Sequence, residues 1–280
     1  MNHLELFLYV SALSLEAAVC GLVCFRNVFR HLPLFSIYAF VVLISDSIGG
    51  VVSYHSGFRS PLSFYYFWSA IGVSLAARCL AIAELCQYKL RAYQGIWELT
   101  WRILVFLAVV FLAHAGVDAW NQPSRTVIYG LTIGRDVAIA SLLILIWLLL
   151  VHNYYDLSLE PLQMWVAVGM TILSTVDFLN DTFLRDKFMG YLSFWFFTKY
   201  MTLWPQVQSQ VEGANEMWNV IRSTAHLVTL GIWSFALRKP LPAPKPKPEL
   251  IPAEVYARVS PAVNLRLRAI NDRLLELLKP

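Results

Sequence analysis

Seven runs of roughly twenty apolar residues, separated by short polar breaks, constrain this chain more than any motif in it. They fall at about 4–25, 33–55, 62–88, 101–120, 127–151, 161–182 and 214–237. A helix of about 20 residues crosses a hydrocarbon core of ~30 Å. The expected fold class is therefore all-α: a polytopic membrane protein built as a seven-transmembrane-helix bundle over 1–238, with a short cytoplasmic amphipathic helix. Composition agrees, since only 14% of residues are charged and 58% are hydrophobic, where a soluble domain carries about 25% charged residues. Ten Trp, 13 Tyr and 17 Phe suit aromatic belts at both interfaces. Pro33, Pro61 and Pro161 each stand at the start of a run, where a missing N–H strands nothing.

The breaks set the expected topology. With the N-terminus outside, the inner side collects nine Lys/Arg (Arg26, Arg30, Lys89, Arg91, Arg102, Arg238, Lys239, Lys245 and Lys247) and the outer side five (Arg59, Arg125, Arg185, Lys187 and Lys199). That bias predicts N-outside, C-inside, with the acidic loop 153–160 dissenting. Met1 to Leu15 contains no Lys or Arg, so the first run reads as a retained helix and not as a cleaved signal. The aromatic stretch 188–204, interrupted by Lys199, is expected as an interfacial helix or re-entrant lid on the outer face. An eighth short span is the alternative.

Beyond Arg238 the composition changes. Residues 239–259 form a proline-rich linker, with prolines at 240, 242, 244, 246, 248 and 252, a spacing that favours an extended spacer. Over 260–280 the pattern turns helical, with Val263, Leu267, Ile270, Leu274 and Leu277 on one face. From Arg238 onward nine Lys/Arg meet four Asp/Glu, a balance of +5. A basic amphipathic tail fits an anionic lipid surface or a separate cytoplasmic effector protein. Nucleic acid is not expected, because no basic-aromatic binding module accompanies it. Cys20, Cys24, Cys79 and Cys86 all fall within predicted spans and read as buried free thiols.

Chemistry, if any, resides in the polar residues that interrupt the apolar runs. In the last run Asn215, Asn219, Arg222, His226 and Thr229 recur at helical spacing on one face. An Arg at bilayer depth costs at least ~2.5 kcal/mol, so Arg222 must face protein, water or a partner. Asp177, Asp136 and Asp46 are its expected partners, in that order. Counting from the run ends places Asp46, Arg135, Asp136, Asp177, Arg222 and His226 in the outer half, where they are predicted to line one ligand vestibule. Glu16, Arg78, Glu84, His114, Asp118 and Asp181 are the other ionisable groups inside runs. The bland alternative is that such pairs only knit helices together. It leaves acids in excess, to be protonated, hydrated or balanced by a cation or histidine. His114 and Asp118, four apart, read as an interfacial ion pair, and Asn180 with Asp181 as a helix end emerging into water. Glu16 shares a face with Cys20 and Cys24, most simply a packing face.

Absences narrow the field. The last run contains no Lys, so a retinal Schiff base has no attachment point. No His-x-x-x-His, His-Glu-x-x-His or Gly-x-Ser-x-Gly occurs. The single Pro205-Gln206 lacks the second copy that small sugar and amino-acid carriers place in an equivalent helix. No cofactor, metal site or catalytic residue is expected.

The segments Arg78-Cys-Leu-Ala-Ile-Ala-Glu84-Leu-Cys86 and Gly95-Ile-Trp97-Glu-Leu-Thr-Trp101-Arg102, with Asn271-Asp272-Arg273-Leu274-Leu275-Glu276-Leu277 in the tail, resemble a loose group of uncharacterised bacterial seven-helix membrane proteins. The resemblance implies a bacterial inner-membrane setting and carries no activity. Three functions compete. The first is sensing or signalling, with a small anionic ligand held by Arg135 and Arg222. The second is a small-solute or proton-coupled transporter using Asp46, Asp136 and Asp177. The third is an intramembrane lipid-modifying enzyme.

Overall fold

The computed structural model describes residues 3–57, 60–90, 94–120, 125–155, 160–197 and 204–238, with 269, 271–273 and 276 from the tail. Among these residues the chain is all-helical. The helices are α1 (His3–Phe25), α2 (Pro33–Ser56), α3 (Pro61–Leu90), α4 (Gln94–Trp120), α5 (Arg125–Tyr155), α6 (Pro161–Phe197) and α7 (Trp204–Arg238), with one 3-10 turn at Val28–Arg30. Each of the seven contains a segment long and apolar enough to cross a membrane, so the protein is an integral membrane protein in contact with the lipid bilayer. The linker 239–259 and the apolar face of the tail helix lie outside the described residues.

The three prolines do what their chemistry predicts: α2, α3 and α6 begin at Pro33, Pro61 and Pro161. Gly57 ends α2 with φ of 82°, a conformation that L side chains rarely adopt. The sixth and seventh runs, expected to end at 182 and to begin at 214, are where the structure differs from the sequence reading. Helix α6 continues to Phe197 and α7 begins at Trp204. Residues 188–197 are thus the continuation of α6, not a separate interfacial helix, lid or eighth span, and 198–203 lie outside the described residues. At 37 residues α6 is about 55 Å long, well beyond the hydrocarbon thickness. Pro205-Gln206 belongs to the first turn of α7.

The helices form a closed ring in chain order, with α7 returning to pack on α1 and α3 reaching across to α5 and α6. The Arg26 guanidinium donates to the Arg238 carbonyl at 2.8 Å, so the C-terminal ends of α1 and α7 meet. Helix α6 lies deepest, with 50% of its span buried, whereas α4 has 11% and presents Phe106, Val109 and Val117 outward to lipid.

The apolar core occupies the half of the bundle near Arg26. Val19 and Val23 of α1, Phe35 of α2, Ala81 and Leu85 of α3, Leu145 and Leu148 of α5, Met170 of α6 and Leu237 of α7 meet there around Trp233. The Trp233 ring stands edge-on to Phe35 at 5.2 Å and to Tyr38 at 6.1 Å. It lies directly on Gly169 of α6, where any Cβ would collide with the indole nitrogen. At the same end the Glu84 carboxylate of α3 accepts from the backbone N–H of Leu34 at 3.0 Å and of Phe35 at 2.9 Å. It satisfies two of the orphan donors that begin α2. Glu84 is therefore a helix cap supplied by a neighbouring helix.

Candidate functional site

Beyond the apolar core the ring fills with charge. Asp177 of α6 stands at its centre, 6% exposed. Arg78 of α3 donates to it at 2.5 Å, and Arg222 of α7 lies 3.1 Å from its other oxygen. The two guanidiniums divide one carboxylate between them: Arg78 and Asp177 are buried and offset their desolvation by pairing, while the Arg222 side chain is 40% exposed. The charge of Arg222 also acts on Asp181, one turn along α6, and on Asp46 of α2. Asn180 is 3% exposed, so this part of α6 is interior and not a helix end emerging into water.

One turn along α7 from Arg222, the His226 ring nitrogen meets Glu16 of α1 at 2.8 Å. Glu16 is 2% exposed, and its second oxygen, Oε2, has no hydrogen-bond partner. Asp46 completes the group: one donor atom each from Glu16, Asp46 and His226 lie within 4.8 Å of one another. Tyrosines from both sides hold α2 at this level. Tyr9 of α1 donates to the Asp46 carbonyl at 2.8 Å and Tyr66 of α3 to the Ser45 carbonyl at 2.7 Å. The first requires Gly50, because a Cβ there would run into the Tyr9 hydroxyl. Beneath Glu16 and His226 is a cavity of about 10 Å³, also lined by Tyr38 and Trp233. That is room for about one water.

A second polar group forms between α4 and α5. His114 meets Asp136 at 2.5 Å, and Arg135 reaches the other Asp136 oxygen at 3.1 Å. Thr132 donates to Asp118 at 2.7 Å. His114 and Asp118 thus each engage α5, and the predicted pair along one helix is not what the structure shows.

Six residues were expected to converge in one vestibule. Asp46, Asp177, Arg222 and His226 do come together. Arg135 and Asp136 do not join them; among the described residues their polar contacts are with His114 and with each other. The core group recruits two residues the expectation left out, Glu16 and Arg78. Each is the buried ionisable residue of its helix that faces the centre, and its type was the available signal. Depth counted from helix ends concealed both. α3 has 30 residues and is about 45 Å long, so its ends say little about which residue lies at which depth. All four cysteines are free, but only Cys20 and Cys86 are buried; Cys24 is exposed.

No protein family, curated protein or solved structure matches the chain.

Proposed function

We propose that the protein is a proton-coupled carrier of small cations in a bacterial inner membrane, with its N-terminus outside and the tail in the cytoplasm. The observation that carries this reading is the imbalance of the core. Glu16, Asp46, Asp177 and Asp181 face Arg78, Arg222 and the imidazole of His226. If all four acids are ionised and the imidazole is neutral, the core is two positive charges short. Burying unbalanced carboxylates costs several kcal/mol each, so the core calls for protons or a cation. Helix α7 carries both Arg222 and His226, each engaged with acids of other helices. A small movement of α7 therefore changes the environment of every member.

The arginines fit anion capture less well. Asp177 already takes the Nε of Arg222, and Asp136 takes Nε and one terminal nitrogen of Arg135, so an anionic ligand would share each guanidinium with a carboxylate. One contact favours the sensing alternative: the backbone N–H of Gly95, in the first turn of α4, donates to Asn271 of the tail at 2.8 Å. That contact offers a route by which bundle movement reaches the tail and a separate effector. Everted membrane vesicles acidified by respiration and loaded with acridine orange separate the readings. Adding Na⁺, K⁺, Mn²⁺ or Zn²⁺ salts should restore fluorescence in vesicles carrying the protein, and Asp46→Asn should abolish the response. If none of these cations moves protons, the carrier reading fails.

A further inference from the structure

We infer that Glu16, Asp46 and His226 form a binding site for a divalent transition-metal cation of the zinc or manganese kind. The inference deepens the carrier reading by naming its cargo. Three helices each contribute one donor, from α1, α2 and α7, and the donor atoms lie within 4.8 Å of one another. Metal bonds of ~2.0–2.2 Å place two donors of one ion at most about 4 Å apart, so only a small inward movement is needed.

The second observation is the burial of Glu16: its side chain is 1% exposed, and its Oε2 receives no hydrogen bond from a donor while the carboxylate faces that of Asp46. Glu16 and His226 both line the water-sized cavity, which leaves room for about one water beside these two donors. A buried carboxylate oxygen without a donor calls for a proton, a water or an ion.

The donor set selects among ions. Two carboxylates and one imidazole suit borderline metals, whereas calcium and magnesium take all-oxygen shells of six or more. Copper(I) prefers thiolates, and no cysteine belongs to the group. Charge also balances: two carboxylates and a neutral imidazole are neutralised by one divalent cation. Metal binding displaces protons from ligating side chains, which is the exchange a proton-coupled carrier performs. The hydrogen bond from Tyr9 to the Asp46 carbonyl fixes α2 against α1 at this level, as outer-shell contacts do around metal ligands.

The test uses the full-length protein in nanodiscs, stripped with chelator and titrated separately with Zn²⁺ and Mn²⁺. Bound metal is measured by elemental analysis after desalting. One ion per chain is expected, with affinity reduced at least tenfold in Asp46→Asn and His226→Gln. Asp46→Asn is near-isosteric and removes a ligand without stranding the Glu16–His226 pair, so a loss of binding there with an unchanged melting temperature is specific. Absence of tight binding in the wild type, or binding retained in both variants, overturns the site and leaves a shared proton as the occupant. The vesicle assay distinguishes the two proposals. Metal binding without proton movement keeps the site and removes the carrier reading. Proton movement driven by Na⁺ or K⁺ without metal binding does the reverse.

Discussion

Asp177 is the residue on which the polar core depends, because among the described residues it alone lies within ion-pair distance of two arginines. Replacing it with Asn leaves Arg78 and Arg222 facing each other without their carboxylate. Breaking a buried pair from one side costs about 3–5 kcal/mol, whereas replacing all partners with apolar residues is often neutral. Asp177→Asn should therefore lower thermal stability in detergent more than the triple change Arg78→Met, Asp177→Leu, Arg222→Met. Equal stability of the two would show that the triad is not a unit. The Arg222–Asp177 pair was legible in the sequence, since an intramembrane Arg needs an acid and α6 carries one on an inward face. Arg78 and Glu16 were not, because their depth depends on helix tilt and overhang that no count from a proline reveals. Arg135 and Asp136 raise a different limit: their polar contacts are with His114 of α4 and with each other, a facing that a count along the chain does not give.

At the scale of the element, the helices are fixed by contacts that hydropathy cannot see. Glu84 caps α2 from α3, so Glu84→Ala should fray the first turn of α2 and cost about 1–3 kcal/mol for donors left buried. Hydrogen exchange at Leu34 and Phe35 should accelerate while the middle of α2 keeps its protection; uniform change along α2 would contradict a capping role. The seam between α6 and α7 depends on Gly169 beneath Trp233. Gly169→Ala should cost about 1–3 kcal/mol through overpacking, and Trp233→Phe in the same chain should recover part of the loss. A silent Gly169→Ala would mean that the indole moves freely aside. The starts of α2, α3 and α6 could be read directly, because proline both permits a first turn and forbids an interior one. The far end of α6 and the start of α7 could not. Residues such as Arg185, Lys187 and Glu212 end the apolar run without ending the helix, and hydropathy reports the membrane boundary only.

For the whole molecule, seven crossings and the Arg26–Arg238 contact put His3 and Arg238 at opposite ends of the bundle. Reporter fusions after Met1 and after Pro280 should report opposite sides of the membrane, the first outside; matching signals would mean that one helix does not cross. The closure of α7 on α1 has a further consequence during synthesis. Glu16 enters the bilayer in the first helix made, and its partner His226 follows 210 residues later. Throughout that interval the nascent bundle carries an acid with no mate, and Asp177 likewise waits for the second of its arginines. The last helix is thus the one that ends the vulnerable period of the first. A message cut short before α7 would yield a product whose buried Glu16 lacks His226, leaving an ionisable group at a depth where it is costly.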